Sequence, residues 1–509
     1  MKDYGKLQNG SDIRGVAIEG IPGEDPNLTA EVTEDIAAGF LAWLCERTGK
    51  NPAELKLAIG RDPRVTGETL TGGLMNGFGP YGCRVLDCGL ASTPAMFMAT
   101  VFPEFACDGT LMITASHLPW NRNGFKFFTR QGGLEKQDIR RILDLAEHRE
   151  HAEEILGAPV APGGSGEAAF APEASDIITP YSAHLRKLII DGCAMGDRPL
   201  EGMKITVDAG NGAGGFYARE VLEPLGADIS SSQFLDPDGL FPNHAPNPED
   251  KEAMRSVSAR TLESESDLGL IFDTDVDRSA AVDQHGREIA RNGIVAMAAA
   301  LVAEDHPGTT VVTDSITSRQ LTGFLEDHLG LKHLRYRRGY RNVIGRAIQL
   351  NEEGTDCQLA IETSGHAALK ENYFLDDGAY LATRIVIRAA RLKAEGKAID
   401  TVIASLQDPA DEKEIRIPII AEDFGPAGDQ VLAELEDYVR AQADLSLEEP
   451  NYEGVRINFP DGWCLLRKSL HDPILPMNMA SDSPGGCEEI RRRMKEFLSV
   501  YDTLDQSVL

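Results

Sequence analysis

Three stretches of the chain repeat one pattern of apolar and polar positions: a β-type apolar run that stops on an acidic residue in a polar or Gly-rich turn. They are Leu55-KLAIGRDPR, Met203-KITVDAGNGAGG and Thr309-TVVTDSITS, with Asp62, Asp208 and Asp314 at matching places. A helical pattern follows each run, which predicts a repeated α/β unit with mostly parallel sheets. The stretch Ala158 to Ser175 is rich in Ala, Pro and Gly, has no periodicity and predicts a linker. A hairpin-like segment, Ser279 to Ala290, precedes a long helical pattern from Gly293, and the acidic stretch Gln407-DPADEKE interrupts the pattern again. Beyond it come alternating strand-like runs and the amphipathic helix Cys487-EEIRRRMKEFLSVY. The expected domains are 1–172, 173–290 and 291–408, three similar α/β units with mixed sheets, and 409–509, an α+β unit.

Composition narrows the function. Hydrophobic residues make up 42%, as in a globular protein. Lys plus Arg number 50 against 81 Asp plus Glu, a net charge of −31 that repels polyanions and excludes nucleic acid as an expected partner. A phosphate ester would need a local cluster of Arg, Lys and main-chain N–H groups to hold it. The eight cysteines form no C-x-x-C pair, which predicts reduced thiols rather than zinc or disulfides. No run approaches the ~18 apolar residues of a membrane span, and the opening MKDYGKLQNG lacks a signal-peptide core, so a cytoplasmic protein is expected.

Five loops carry candidate chemistry. Thr114-ASHLPWNRNGFKFF sets Ser116 beside His117 and follows them with Arg122 and Lys126. No G-x-S-x-G elbow surrounds this serine. Gly210, Gly212 and Gly215 satisfy G-x-G-x-x-G after a strand, a pattern open both to a dinucleotide fingerprint and to a strand-to-helix turn without ligand. Leu268-GLIFDTDVDRSAAVD presents Asp273, Asp275 and Asp277 at alternate positions, then Arg278. Three such carboxylates repel one another unless a hard divalent ion neutralises them. An EF-hand is excluded, because Arg278 stands where Gly is required and Gln284 where Glu is required. Ile361-ETSGH offers Glu362, Ser364 and His366 within five residues, a donor and acceptor set suited to sugar hydroxyls and equally to a polar turn. Cys464-LLRKSLHDP gathers Arg467, Lys468, Ser469 and His471 into the positive cluster a phosphate would need.

Taken in order, these loops resemble the α-D-phosphohexomutase superfamily, which includes phosphoglucomutase/phosphomannomutase and phosphoglucosamine mutase. The likeness also takes in Ser11-DIRG, Gly60-RDPR, Asp236-PDGLFPNHAPNP and Glu453-GVRINFPDGWCLLRKS, so it spans nearly the whole chain. It implies four domains around a central cleft. It further implies that Ser116 is the phosphoserine donor and that Asp273, Asp275 and Asp277 hold Mg²⁺ with a phosphate oxygen of that serine. His117 and Arg278 would contact the phosphoryl group, and Lys126 would handle the proton of a sugar hydroxyl. Glu362, Ser364 and His366 would read the sugar, Arg467, Ser469 and His471 would belong to the loop for the non-reacting phosphate, and Arg14 would add positive charge.

The implied reaction interconverts hexose 1-phosphate and hexose 6-phosphate, glucose or mannose, through a 1,6-bisphosphate that also serves as activator. Alternatives are a phosphoglucosamine mutase, a phosphosugar-binding protein that has lost turnover, and, on the glycine motif, a nucleotide-dependent dehydrogenase. The chain departs from the family pattern at Leu118, where Asn is usual, and at Thr274 and Val276, where glycines are usual. It departs again at Leu470-His471-Asp472-Pro473 and at Pro476, where a further Arg is usual. The serine, the carboxylates and the main cations are retained.

Overall fold

Two of the three apolar runs become inner strands, Lys56–Arg61 and Thr310–Thr313, and the third, Ile205–Asp208, ends its sheet, in a computed structural model that describes residues 3–159, 172–469 and 472–509. Lys56–Arg61 lies between Arg84–Leu90 and Gly109–Ile113 and runs parallel to both. Gly109–Ile113 is buried along its whole length, as a central strand covered on both faces should be. Arg122–Thr129 and then Asp12–Val16 continue the sheet in antiparallel sense, so it is mixed. Helix Ala30–Thr48 starts where the Thr29 side chain accepts the Val32 N–H and stops at Gly49, which takes a φ of 71°. It buries Phe40, Leu41 and Leu44 in the core of this first domain. Full burial of each such side chain contributes about 1.5–3 kcal/mol.

The chain divides into two compact units, Met1–Leu301 with Ser364–Val402, and Val302–Thr363 with Ile403–Leu509. The first unit holds a second sheet, in which Ile205–Asp208 pairs parallel with Leu268–Phe272. Ser279–Asp283 and then Glu288–Ile289 add to it in antiparallel sense, the hairpin expected from the sequence. In the second unit Thr310–Thr313 runs parallel between Lys332–Arg335 and Cys357–Ile361. That unit also contains a wholly antiparallel sheet built from Asp411–Pro418, Ile474–Ser481, Gly462–Leu466, Val455–Phe459 and Ser446–Leu447. Helices Phe424–Arg440 and Cys487–Leu498 share its core, which gives the α+β unit expected at this end. Residues 160–171 of the expected linker lie outside the described residues, while Glu173–Ala174 adds a short parallel strand to Arg84–Leu90.

Two of the three matching aspartates do the same structural job and the third does another. Asp62, Asp208 and Asp314 are buried at the ends of their strands. Asp62 Oδ1 accepts the Arg64 N–H at 3.0 Å and Asp208 Oδ1 the Gly210 N–H at 2.9 Å, turn bonds of Asx type. Asp314 Oδ2 accepts the Thr363 hydroxyl at 2.8 Å.

The glycine motif proves to be packing. A Cβ at Gly212 would come within 2.8 Å of the Thr274 carbonyl, and one at Gly215 within 2.2 Å of the Leu235 carbonyl. Other main chain therefore fills the side from which a dinucleotide fingerprint admits a pyrophosphate. Asp228, beyond the motif, bridges in parallel to Lys204 beside the Ile205–Asp208 strand.

Candidate active site

Ser116 lies three residues beyond the strand Gly109–Ile113, in a turn where it takes a φ of 52°. That left-handed value is uncommon for any residue but glycine, so something must hold it there. The Ser116 N–H donates to Thr114 Oγ1 at 2.9 Å, and that hydroxyl donates in turn to Asp62 Oδ2 at 2.7 Å. With its main chain fixed, Ser116 Oγ donates to Asp273 Oδ2 at 3.0 Å and accepts from Arg278 Nη2 at 2.7 Å. His117 Nδ1 lies 3.3 Å from the same oxygen and also accepts from Arg278 Nη2. Burial, and then the charge of Arg278, pushes the His117 pKa far below its ordinary value, so this imidazole is neutral.

Arg278 follows the aspartate trio on the turn between Leu268–Phe272 and Ser279–Asp283. Its main-chain N–H and its Nε both donate to Asp273, at 3.2 and 3.1 Å. The trio is essentially inaccessible, at 0%, 0% and 1% exposure, and one oxygen from each carboxylate falls within a 4.8 Å cluster. Burial, and then the Asp277 charge, raises Asp273 to about 6 and lifts Asp275 well above its ordinary value. Burial acts on Asp277 in the same direction, but Lys126, His366 and Arg278 outweigh it and hold that carboxyl low.

Asp275 Oδ1 and both oxygens of Asp277 accept no hydrogen bond among the described residues, although Lys126 Nζ lies 3.1 Å from Asp277 Oδ2. Buried carboxylate oxygens without donors, clustered around one point, fit a hard divalent cation such as Mg²⁺. Thr93 steadies this set, its N–H donating to the Asp275 carbonyl at 2.8 Å and its hydroxyl to Asp275 Oδ2.

Lys126 is 4% exposed and has a second carboxylate, Asp12 Oδ2, at 3.5 Å. Arg14 Nη2 donates to the same oxygen at 3.0 Å, so the predicted cation stands in a line with Asp12, Lys126 and Asp277. Asp12 is a member of this line that sequence reasoning passed over, although it lies within the quoted Ser11-DIRG.

The ETSGH loop is shared between the two units. Ser364 and His366 fall in the first, where the main chain of His366 bridges in antiparallel sense to Arg278. Gly365 permits this approach: its φ is 93°, and a Cβ there would come within 2.6 Å of the Ser279 carbonyl. His366 Nδ1 bonds to Asp376 Oδ2 and lies 3.8 Å from Asp277 Oδ1. Burial disfavours its charge, but Asp376 and then Asp277 raise its pKa overall. The Ser364 hydroxyl is buried and makes no hydrogen bond among the described residues. Asp376, ten residues beyond the histidine, was missed for want of any local motif.

Glu362 falls in the second unit, where its Oε1 accepts the Gly339 N–H at 2.6 Å. Arg338 donates its main-chain N–H to Glu453 Oε2 at 3.1 Å, and its Nε lies 3.9 Å from Asp314 Oδ2. The signal for Arg338 is present in the run Arg335-YRRGYR, four arginines in seven residues of an acidic chain.

Arg467 Nε is buried without a hydrogen-bond partner among the described residues, and burial lowers the arginine's pKa. The Ser469 N–H donates to the Ile474 carbonyl at 3.1 Å, and its hydroxyl accepts the Asp472 N–H at 3.2 Å. Lys468 is turned away from the expected cluster, its Nζ bonding to Asp429 on helix Phe424–Arg440 and to the Gly425 carbonyl. His471 and Leu470 lie outside the described residues. Leu118, the departure nearest the serine, acts through its main chain: its N–H donates to the Ala115 carbonyl at 3.1 Å, and its own carbonyl accepts from Arg64.

Three α/β domains in series with a fourth sheet domain, and a serine seated against an aspartate trio and a buried arginine, mark an isomerase of the intramolecular phosphotransferase type. Family models described as phosphoglucomutase/phosphomannomutase α/β/α domains I, II and III match residues 5–153, 180–286 and 291–409. The chain belongs to the phosphoglucomutase/phosphomannomutase family and is a phosphohexomutase. It is 30% identical over 486 residues to a phosphoglucomutase of Neisseria meningitidis serogroup A, covering 95% of each chain. A phosphomannomutase/phosphoglucomutase of Pseudomonas aeruginosa is 28% identical over 500 residues, 97% of this chain and 96% of that one. The crystal structure of a phosphoglucomutase/phosphomannomutase family protein from Burkholderia thailandensis superposes with a TM-score of 0.75 at 25% identity, covering 96% of each chain.

Proposed function

We propose that the protein interconverts the 1- and 6-phosphates of glucose, mannose or both, through a phosphorylated Ser116 and a hexose 1,6-bisphosphate. In the first half-reaction the Ser116 Oγ–P bond breaks and a bond forms from that phosphorus to the free hydroxyl of the hexose monophosphate. The hydroxyl gives up its proton, and Ser116 Oγ regains one. The bisphosphate then turns over, and its other phosphoryl group returns to Ser116 by the reverse step. The observation that carries this reading is the seat of Ser116 Oγ, 2.7 Å from Arg278 Nη2 and 3.0 Å from Asp273 Oδ2. A group held there meets fixed positive charge where phosphoryl transfer develops negative charge.

We assign Asp273, Asp275 and Asp277, with an oxygen of phosphorylated Ser116, to hold Mg²⁺, which would neutralise phosphoryl charge during transfer. Arg278 and the neutral His117 orient the phosphoryl group. Lys126, between Asp277 and Asp12, moves the proton of the sugar hydroxyl, and Arg14 adds charge beside it. Glu362, Ser364 and His366 bind the sugar, while Arg467 and Ser469 hold the phosphate that does not react. The unpartnered Ser364 hydroxyl and Arg467 Nε support those roles, since a buried donor needs an acceptor that a phosphosugar can supply. The eight cysteines, all buried thiols outside any disulfide among the described residues, support a reducing, cytoplasmic setting, and no helix among the described residues is long and apolar enough to cross a membrane.

The test is a Mg²⁺ assay over a panel of hexose 1-phosphates, including glucosamine 1-phosphate, primed with a 1,6-bisphosphate. Interconversion of glucose or mannose phosphates is expected. Turnover confined to glucosamine phosphate would replace the substrate assignment, and binding without turnover of any sugar would overturn the mutase reading.

A further inference from the structure

Arg64, in the motif Gly60-RDPR, has no role in the chemistry described so far, yet its side chain is inaccessible to solvent. A guanidinium has five N–H donors, and here every one is used. Nε donates to Asp62 Oδ2 at 3.2 Å. Nη1 donates to the carbonyls of Pro119 and Arg122 at 2.8 and 3.0 Å. Nη2 donates to the carbonyls of Ser116 and of Leu118, the latter at 2.7 Å. Four of the five acceptors are therefore main-chain oxygens of the segment 116–122, which begins at the serine.

The fifth acceptor closes a circuit. Asp62 Oδ2 also accepts the Thr114 hydroxyl, whose oxygen accepts the Ser116 N–H. The Asp62–Arg64 pair thus holds Ser116 from both sides, at its N–H through Thr114 and at its carbonyl directly. The Phe241 ring lies over the guanidinium, 5.3 Å from its centroid to the Arg64 carbon, and covers one face. This is the serine held at a φ of 52°, and its Oγ makes the contacts with Arg278 and Asp273.

We propose that Arg64 is a positioning residue for phosphoryl transfer, a clamp on the carbonyls of the serine loop that fixes the aim of Ser116 Oγ. It touches neither substrate nor the reacting oxygen and acts only through the main chain it holds. Lysine cannot replace it, because an ammonium has three donors and no planar fork.

The inference rests on the mutase reading, and the test keeps the two apart. Purified full-length wild type, R64A and R64K are charged with glucose 1,6-bisphosphate, and phosphate on Ser116 is measured by peptide mass. Single-turnover transfer to glucose 1-phosphate, steady-state kcat and KM, and the ³¹P shift of the phosphoserine are then compared. A misaimed nucleophile predicts a transfer rate and kcat down by about a hundredfold. KM should stay within about threefold, since ground-state binding is untouched. The phosphoserine resonance should move or broaden in both variants, and added guanidinium should restore part of the R64A rate. If R64A does not fold, R64K decides. A folded, phosphorylated R64K with wild-type kcat and an unmoved ³¹P resonance would overturn the clamp while leaving the mutase reading intact. A wild type that neither carries phosphate on Ser116 nor turns over would overturn both.

Discussion

The serine and aspartate cluster of the first unit and the Glu362 and Arg467 set of the second are built on opposite principles. Around Ser116 nearly every polar atom of the protein is already engaged with another, from Asp62 through Thr114 to the serine N–H and from Arg278 to Oγ. Among the described residues, the atoms left without a hydrogen bond there are Asp275 Oδ1 and the two Asp277 oxygens of the trio, with the hydroxyls of Thr274, Ser279 and Ser364. In the second unit Arg467 keeps a buried Nε without a hydrogen-bond partner among the described residues, while its neighbour Lys468 is tied to Asp429. On the proposed function, the first arrangement would fix atoms that must not move while a bond breaks. The second would leave a buried donor, Arg467 Nε, for a ligand. Substitutions in the two regions should therefore fail in different ways.

The largest effect should come from Asp275→Ala. Losing one trio carboxylate removes several kcal/mol of charge stabilisation, so kcat should drop by about a thousandfold or more. The Mg²⁺ concentration for half-maximal activity should rise, and a titration of activity against Mg²⁺ checks both. Next comes Arg467→Ala, which removes charge-assisted bonds worth about 1.5–3 kcal/mol. Its KM for the hexose phosphate should rise about ten- to a hundredfold, while phosphate on Ser116 persists. A kcat loss without a KM change in this variant would erase the contrast between the regions.

Ser364→Ala sharpens the comparison because its two effects have opposite signs. The hydroxyl has no partner among the described residues, so its removal should leave thermal stability unchanged or slightly higher. Catalytic efficiency should fall by about tenfold if the hydroxyl binds sugar.

The smallest effect lies away from the chemistry, at His244, whose Nε2 is 3.0 Å from Asp208 Oδ2. Burial disfavours its charge, but the bond to Asp208 outweighs this and raises its pKa above 6.5. A raised folded pKa gives stability that is complete below the unfolded value and is lost as pH rises through the folded one. The melting-temperature gap between wild type and His244→Asn should thus be widest below about pH 6.5 and close as pH rises above it.

Much of the candidate site was legible because its groups are contiguous in sequence. The aspartate trio, Arg278 and the pair Ser116-His117 each sit on one turn, and the apolar runs beside them announce the strands that carry those turns. What stayed hidden depends on long-range contact. Arg64 meets the Ser116 carbonyl across 52 positions, and nothing in Gly60-RDPR says which carbonyls it will reach. Asp376 finds His366 only after the chain has turned back in the hairpin of Ala367–Leu369 and Leu375–Asp376. The glycine motif was open to both readings in the sequence, and packing decides for the turn, since its spacing satisfies a ligand fingerprint while Thr274 and Leu235 take up the room. Leu118 looked apolar where a polar residue is usual, yet the part it contributes to the loop's hydrogen bonding is the peptide group that every residue has.

The central claim is that Ser116 carries the phosphoryl group, and a single-turnover mass measurement tests it most directly. Enzyme charged with a hexose 1,6-bisphosphate, freed of ligand and mixed with hexose 1-phosphate and Mg²⁺, should lose one phosphoryl group that maps to Ser116. The bisphosphate should appear at the same rate, and Ser116→Ala should do neither. Turnover by the alanine variant, or by a wild type that never carries phosphate on Ser116, would contradict the account.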